Sequence, residues 1–527
     1  MIDKAKLGRG LMKAGIAVTA VLLAATLLFI YAESTWVRAS SADPEHSFLY
    51  ATTGTEIMPL PVFQVLPYLF PDQFQPGGPA AGDWIQQYGL IRGKEGVNEG
   101  LPQGFFVSNH RPKSGAPSPV PFVGINCSFC HTSLIKRTDS DPGVMVRGMG
   151  NTSLDFIAWV DGFKTAVLDE KRMTPKAIFD TYEQKFGKKL SLSEKLMIRL
   201  WLIQTRQTVQ EAEPKVDDPF GGADLRNSAY MPNGPSRTQP FRNLVRNVMN
   251  RPAMLDHGYC KLPVLYEQKD RDWGQFDGSV KDRLTRSVLA AIAIGATMQN
   301  LSMPEISNNV EQSIAYTLDL KGPKFTDVFP DQKLDAQKVA RGQLVYAAHC
   351  DSCHGHPGSD GAWVRGEKQD TVFPYQTLGT DGERVSFRHF DTLADALVDS
   401  FPPKQPLRPN RADLRPGPMG DTQGYIGVPI VAPFSHAPYL HNGSIPTLAE
   451  LINLKPRPDV FYRGDNLYDP VDAGLIVPDH PDALRYFRFD TSIPGNSNKG
   501  HDYPWAYHGP GWNEAALKDL LEYLKTI

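Results

Sequence analysis

Neither sign of charge is in surplus in this 527-residue chain: Lys and Arg number 55, Asp and Glu 58, for a net charge of −3. Nothing in that balance suggests nucleic acid as a partner. Cysteine is scarce, with five residues. Four of them sit in two short stretches, Cys127-Ser128-Phe129-Cys130-His131 and Cys350-Asp351-Ser352-Cys353-His354. The fifth, Cys260, reads as a buried and inert thiol. Regular periodicity is weak across residues 34–121. Trp36, Tyr68, Phe70, Phe74 and Trp84 suggest that this Pro- and Gly-rich stretch packs onto something. It is expected to be a wrapping extension with short helices, not a separate domain.

What is present is the pattern C-x-x-C-H, twice. It is the attachment pattern for a c-type haem, and the chemistry explains the spacing. Two thiols three positions apart can each add to one vinyl group of the same porphyrin. The histidine that follows then falls under the iron as its proximal ligand. A zinc site would need four ligands from paired motifs, and a thiol redox pair has no use for the histidine. The chain is therefore expected to carry two covalently bound haem c groups. Cys127, Cys130, Cys350 and Cys353 would attach them, and His131 and His354 would ligate iron. Gly (45) and Pro (44) are frequent, which suits a loop-rich fold whose core is partly porphyrin.

At the N-terminus, Lys4, Lys6, Arg9 and Lys13 precede an uncharged run from Ala14 to Ala32. That run is long enough to cross a bilayer as a helix. The basic flank would stay in the cytoplasm and place the rest outside the inner membrane. No small-x-small site directly follows the run, and Ser40-Ser41-Ala42 is a weak cleavage site. An uncleaved anchor over residues 14–32 is expected, with a cleaved, secreted form as the alternative. Either agrees with covalent haem, which is attached on the exported side.

Four regions follow: 1–33 as signal or anchor, 34–121 as extension, 122–322 around the first haem and 323–527 around the second. In the first haem region, helices are predicted over Leu154–Val160, Ser191–Gln210 and Arg283–Met298. Leu196, Ile198, Leu200, Leu202 and Ile203 are expected on the buried face of the second. The second haem region resembles a self-contained cytochrome c domain. A helix over Asp335–Ala348 leads into the haem motif, and Leu517, Leu520, Leu521 and Leu524 give Asn513–Ile527 an apolar face. The fold class expected is mainly α: two cytochrome c-like haem domains with extensive loops, behind one transmembrane helix.

Four further stretches carry a resemblance. They are Gln275-Phe276-Asp277-Gly278 with Arg286 and the helix after it; Ala437 to Leu448, including His441-Asn442-Gly443-Ser444; Arg457-Pro458 through Tyr462 to Pro470; and Phe489 to His501. With the haem motifs, they resemble the di-haem proteins that include rubber oxygenase and related bacterial fatty-acid dioxygenases. The resemblance to bacterial di-haem cytochrome c peroxidases is more distant. It spans residues from about Val107 to the C-terminus. Phe276 stands where the oxygenase-like branch usually has tryptophan, and Pro433–His436 also departs from that branch.

Ligation decides function, because a haem with two strong protein ligands transfers electrons and one with an open position can bind oxygen or peroxide. The resemblance implies His501 as the distal ligand of the second haem; His441, His436, His508 and Met419 are the rivals. It also implies an open, catalytic first haem. His110, Met145 and Met149 lie near that haem in sequence, and none stands out as a ligand. Trp273 and Phe276 are candidates to lie between the haems or line the pocket, or are ordinary core aromatics. The expected activity is oxygen-dependent oxidation of a small apolar, unsaturated substrate. The alternatives are a peroxidase fed by a small redox protein and a non-enzymatic electron carrier.

Overall fold

The computed structural model describes residues 15–27, 43–74, 87–93, 98–211, 233–251, 257–266, 268–386, 390–414, 423–478, 486–502 and 514–527. His508 and Met419 fall outside them.

Residues of the extension and of the first haem region share one hydrophobic core. At its centre is an antiparallel sheet of β1 (Glu56–Pro59), β2 (Phe105–His110) and β3 (Pro117–Ile125), in the order β1-β3-β2. Val123 of β3 faces Met58 on one side and Val107 on the other. β2 is buried along almost its whole length, so it lacks the apolar–polar alternation that marks a half-buried strand. That is why it escaped notice in the sequence. Around the sheet lie α1 (Leu60–Leu69), α2 (Phe156–Leu168), α3 (Pro175–Phe186) and α4 (Leu192–Glu211). Phe129, inside the first haem motif, sits at 5.2 Å from Phe105 and 5.6 Å from Phe156 between ring centroids. One aromatic contact set thus ties the motif to the core.

The chain continues through α5 (Pro240–Met249), α6 (Arg283–Ala293), α7 (Pro304–Asp319), α8 (Ala336–His349), α9 (Phe390–Ser400) and α10 (Glu514–Leu524). α5, α6, α7 and α9 contribute to a second core. α8 and α10 contribute to a third, which also takes in Ile135, Val146, Met149 and Tyr266 from the first haem region. Asp282 caps α6 by accepting from the Thr285 amide at 2.7 Å. The helix predicted as far as Met298 stops at Ala293, because Gly295 turns into a left-handed conformation (φ +119°).

α8 and α10 cross at Gly342. A Cβ there would stand 2.0 Å from the Asp519 carbonyl oxygen. Arg341 closes the crossing with two bonds to the Asp519 carboxylate, at 2.6 and 2.9 Å. Gly342→Val should force the helices apart and destabilise the protein by about 3 kcal/mol, the upper range for overpacking. Denaturant midpoints of the two holoproteins measure this.

Three expectations are corrected. No helix among the described residues is long and apolar enough to cross a membrane. The helix at residues 15–27 would be about 20 Å long at 1.5 Å per residue, short of the roughly 30 Å hydrocarbon core; residues 14 and 28–32 lie outside the described set. The chain is also less purely helical than expected. Among the described residues its extended segments pair into one three-stranded and six two-stranded sheets, as loops do when they run side by side and must satisfy their backbone groups. Finally, α4 buries Met197, Ile198, Trp201 and Leu202, whereas Leu196, Leu200 and Ile203 are exposed. The apolar residues nearly encircle this helix, so composition could not say which arc faces inward.

Candidate functional site

Each C-x-x-C-H motif begins as a single turn of helix. Asn126 caps the first by accepting from the Ser128 amide at 3.1 Å. His131 then points its Nδ1 at the Pro263 carbonyl, 2.9 Å away. A carbonyl only accepts, so Nδ1 carries the proton and Nε2 keeps its lone pair for a metal. The second motif repeats the arrangement: His354 Nδ1 donates to the Val428 carbonyl at 2.7 Å. Burial lowers the pKa of both imidazoles, that of His131 to about 4. Both are therefore neutral ligands at ordinary pH.

Cys350, Cys353 and His354 line a cavity with about 1150 Å³ of empty space, part of it open to solvent. His501 lines it too. Its ring centroid is 6.1 Å from that of His354. Two imidazoles sharing one metal, each nitrogen about 2 Å from it, put their centroids about 6 Å apart, so the pair fits a single iron between them. His501 arrives on a loop in left-handed conformation (φ +53°), and its amide donates to the Leu378 carbonyl at 3.0 Å. Gly500 must be glycine: its φ is +86°, and a Cβ would meet the Thr380 nitrogen at 2.5 Å.

That loop is held by residues whose role the sequence did not reveal. Asn442 donates to the Gly495 and Ser497 carbonyls at 3.1 and 3.0 Å, and Ser444 donates to Ser497 at 2.9 Å. Arg457 Nη1 donates to the Asn498 and Gly500 carbonyls at 2.7 and 2.8 Å. Its Nε and Nη2 hold Glu450 and Leu451. Spending one guanidinium on four backbone carbonyls is the available signal, and only the folded loop displays it. Arg457→Met should leave haem attachment intact but loosen His501. A mixture of low- and high-spin second haem, shifted to low-spin by added imidazole, is the expected spectrum.

Of the rival histidines, the two among the described residues are engaged elsewhere. His436 Nε2 donates to the Val431 carbonyl at 2.7 Å. The Tyr425 hydroxyl donates to the Asp381 carbonyl at 2.8 Å and so accepts from His441 Nε2 at 2.9 Å.

Cys127, Cys130 and His131 line a second cavity of about 1120 Å³, and Cys130 and His131 also line an adjoining one of about 1060 Å³. Both share Ala290 on α6 and Ile294 just past its end. Among the described residues, His131 is the one imidazole in either lining, and no methionine or carboxylate joins it. Arg271, Arg283 and Arg286 line the first of the two. Arg286 is buried, with Nε and Nη2 unpartnered. Burial, together with Arg271 and Arg283, pushes its pKa down to about 9. A haem brings two carboxylates, and this cluster is where they would be neutralised. The adjoining chamber is apolar, walled by Phe241, Leu244, Leu289, Phe390, Leu393 and Leu397.

The nearby sequence candidates are placed elsewhere. Met145 is exposed and Met149 is packed in the third core. His110 is buried against Gly115 O (2.9 Å) and Glu305 (3.4 Å). Burial disfavours its charge, but Glu305, the Gly115 carbonyl and Glu56 outweigh this and raise its pKa above 6.5. A raised histidine pKa stabilises the fold fully below the unfolded value and is lost as pH rises through the folded one. The stability gap between the native protein and His110→Gln should therefore be widest below a pH of about 6.5 and shrink above it, as read from unfolding midpoints across pH.

Phe276 lines the cavities of both motifs, and its carbonyl accepts from the Ile426 amide at 2.9 Å. It stands between the two sites. Trp273 lines none of the three cavities. Cys260 is buried and its thiol faces the apolar chamber.

Residues 424–462 match the family model described as RoxA-like, cytochrome c-like. The matched stretch holds Tyr425, His441, Asn442, Ser444 and Arg457, the support of the loop that carries His501. Over 94% of its length the chain is 24% identical to uncharacterized protein y4iJ of Sinorhizobium fredii (strain NBRC 101917 / NGR234), covering 93% of that protein. Half of the chain is 28% identical to uncharacterized protein y4iM of the same strain and spans 64% of it. The family match supports a RoxA-like cytochrome c, which implies covalently bound haem c and, coarsely, haem oxidoreductase chemistry.

Proposed function

From the premise of a RoxA-like cytochrome c domain, we propose that this protein is an exported di-haem oxidoreductase that uses oxygen to oxidise a small apolar, unsaturated substrate. The observation that carries the reading is the contrast between the two motifs. His354 faces a second imidazole, His501, at 6.1 Å, whereas among the described residues the two cavities lined by His131 hold no second imidazole, methionine or carboxylate.

The first haem would supply the position for oxygen, and the second would supply electrons. The chain's own residues do the rest. His131, its Nδ1 held by the Pro263 carbonyl, would ligate the iron. The arginine cluster would take the haem carboxylates. Ala290 and Ala293 leave room beside His131, and the leucine and phenylalanine wall of the adjoining chamber excludes water and holds an apolar chain. His501, set by Arg457 and Asn442, completes the relay haem. Phe276 lines the cavities of both motifs and so stands between them.

A peroxidase reading has less support. Cleaving peroxide calls for an acid–base group over the open iron, and no carboxylate or second imidazole lines either cavity at His131 among the described residues. Attachment of haem c on the exported side favours a periplasmic or secreted protein.

The test is a spin-state count on the holoprotein by absorption and electron paramagnetic resonance, followed by two assays. One high-spin and one low-spin iron, with product from oxygen and an unsaturated lipid, is the expected result. Turnover of peroxide with a reduced small cytochrome would move the assignment to a peroxidase. Two low-spin irons that stay low-spin on reduction would leave an electron carrier.

A further inference from the structure

α4 carries a stripe of apolar residues that remain exposed. Leu192, Leu196, Leu200 and Ile203 are 81%, 39%, 44% and 64% exposed. Their spacing puts them within an arc of about 80° on one side of the helix, at 100° per residue. The opposite side is fully used, with Met197, Ile198, Trp201 and Leu202 in the core. The stripe therefore adds nothing to folding, and four large aliphatic side chains are held in water by a rigid helix.

The surroundings say what would cover it. Residues 185–206 hold six basic side chains and one acid, Glu194, a local charge of +5 in a chain whose net charge is −3. Arg206 turns inward onto the Val167 and Met173 carbonyls. Lys195 and Arg199 lie on α4 beside the stripe; Lys185, Lys188 and Lys189 precede the helix, Lys185 over the Tyr68 ring at 4.9 Å and Lys189 paired with Glu183 at 3.3 Å. Lys195 and Arg199 lie over the Phe179 ring at 5.6 and 5.7 Å, which fixes their heads along one flank. The apolar face belongs to a single convex helix, not a groove. Protein interfaces concentrate Trp, Tyr and Arg at their centre and disfavour lysine. Leucine and isoleucine bordered by lysine is instead the pattern of a helix lying in the plane of a bilayer, its apolar side among acyl chains and its cations at anionic headgroups.

We propose that α4 docks the protein on an anionic lipid surface. The helix lies along the membrane and does not span it. The stripe enters the acyl boundary and Lys195 and Arg199 beside it meet phosphate groups.

The test is co-sedimentation of the full-length holoprotein with vesicles of phosphatidylcholine alone or with about one third phosphatidylglycerol, at about 0.1 M and about 1 M salt. Binding is expected to the anionic vesicles and to weaken in high salt. Leu200→Gln with Ile203→Gln, and separately Lys195→Glu with Arg199→Glu, should each lower the bound fraction at least about tenfold. A nitroxide on Ile203→Cys then reports depth, and in bound protein it should become accessible to oxygen and shielded from a water-soluble nickel chelate. Three results would overturn the proposal: equal binding to neutral vesicles, variants that bind as well as the native protein, or a label that stays in water on bound protein. An oligomer dispersed by the glutamine pair, with no vesicle binding, would assign the face to a second copy instead.

Discussion

Replacing His501 with alanine is expected to turn the whole low-spin signal of the second haem high-spin while leaving both haems attached. The reasoning is geometric. Attachment depends on Cys350, Cys353 and the short helix that carries them, none of which touches the 495–501 loop through its thiols. Spin state depends on the number of strong axial nitrogens, and the 6.1 Å ring pair supplies the second one. His436 and His441 line the same cavity, yet each has Nε2 committed to a protein partner, so neither is free to take over. Added imidazole should restore the low-spin spectrum, because it replaces the missing ligand without the loop. A His501→Ala protein that stays low-spin would move the assignment to another ligand. A protein that loses haem would make His501 structural.

Ala290→Phe should abolish oxygen-dependent turnover, by about 100-fold or more, without altering the second haem. Ala290 lines both cavities at His131. A benzyl side chain there would occupy the space beside the proposed open iron and obstruct the passage to the apolar chamber. A 100-fold loss corresponds to about 2.7 kcal/mol of barrier. Haem content by the alkaline pyridine assay and the low-spin signal should match the native protein. Carbon monoxide binding to the reduced first haem should fall with activity, and Ala290→Gly should retain both. Undiminished turnover in the phenylalanine variant would place the chemistry away from α6.

The two tests bear on residues of very different legibility. The haem motifs announced themselves because covalent chemistry demands two thiols and an imidazole at one spacing, whatever fold surrounds them. α10 was legible for a related reason: it has a clean apolar face, and Leu517, Leu520, Leu521 and Leu524 are all buried. His501 came from likeness alone, since a histidine in a Gly- and Asn-rich loop has no local signature of ligation. Its significance rests on Gly500, Arg457 and Asn442, which are between one and fifty-nine positions away in sequence and meet it only in the folded chain.

The chain by itself showed the haem-attachment pattern with its two candidate proximal histidines, and a helix such as α10 with a single apolar face, because those depend on spacing along one backbone. Tertiary structure decided everything that depends on which surfaces meet. It turned β2 into a fully buried strand without alternation. It turned α4 so that Ile198 and Leu202 went inward while Leu196, Leu200 and Ile203 faced water. It brought His501 opposite His354 and, among the described residues, left His131 as the one imidazole in the cavities it lines. Periodicity says that a helix has faces, but which face is buried depends on neighbours far away in the chain, and ligation depends on two loops closing on the same point.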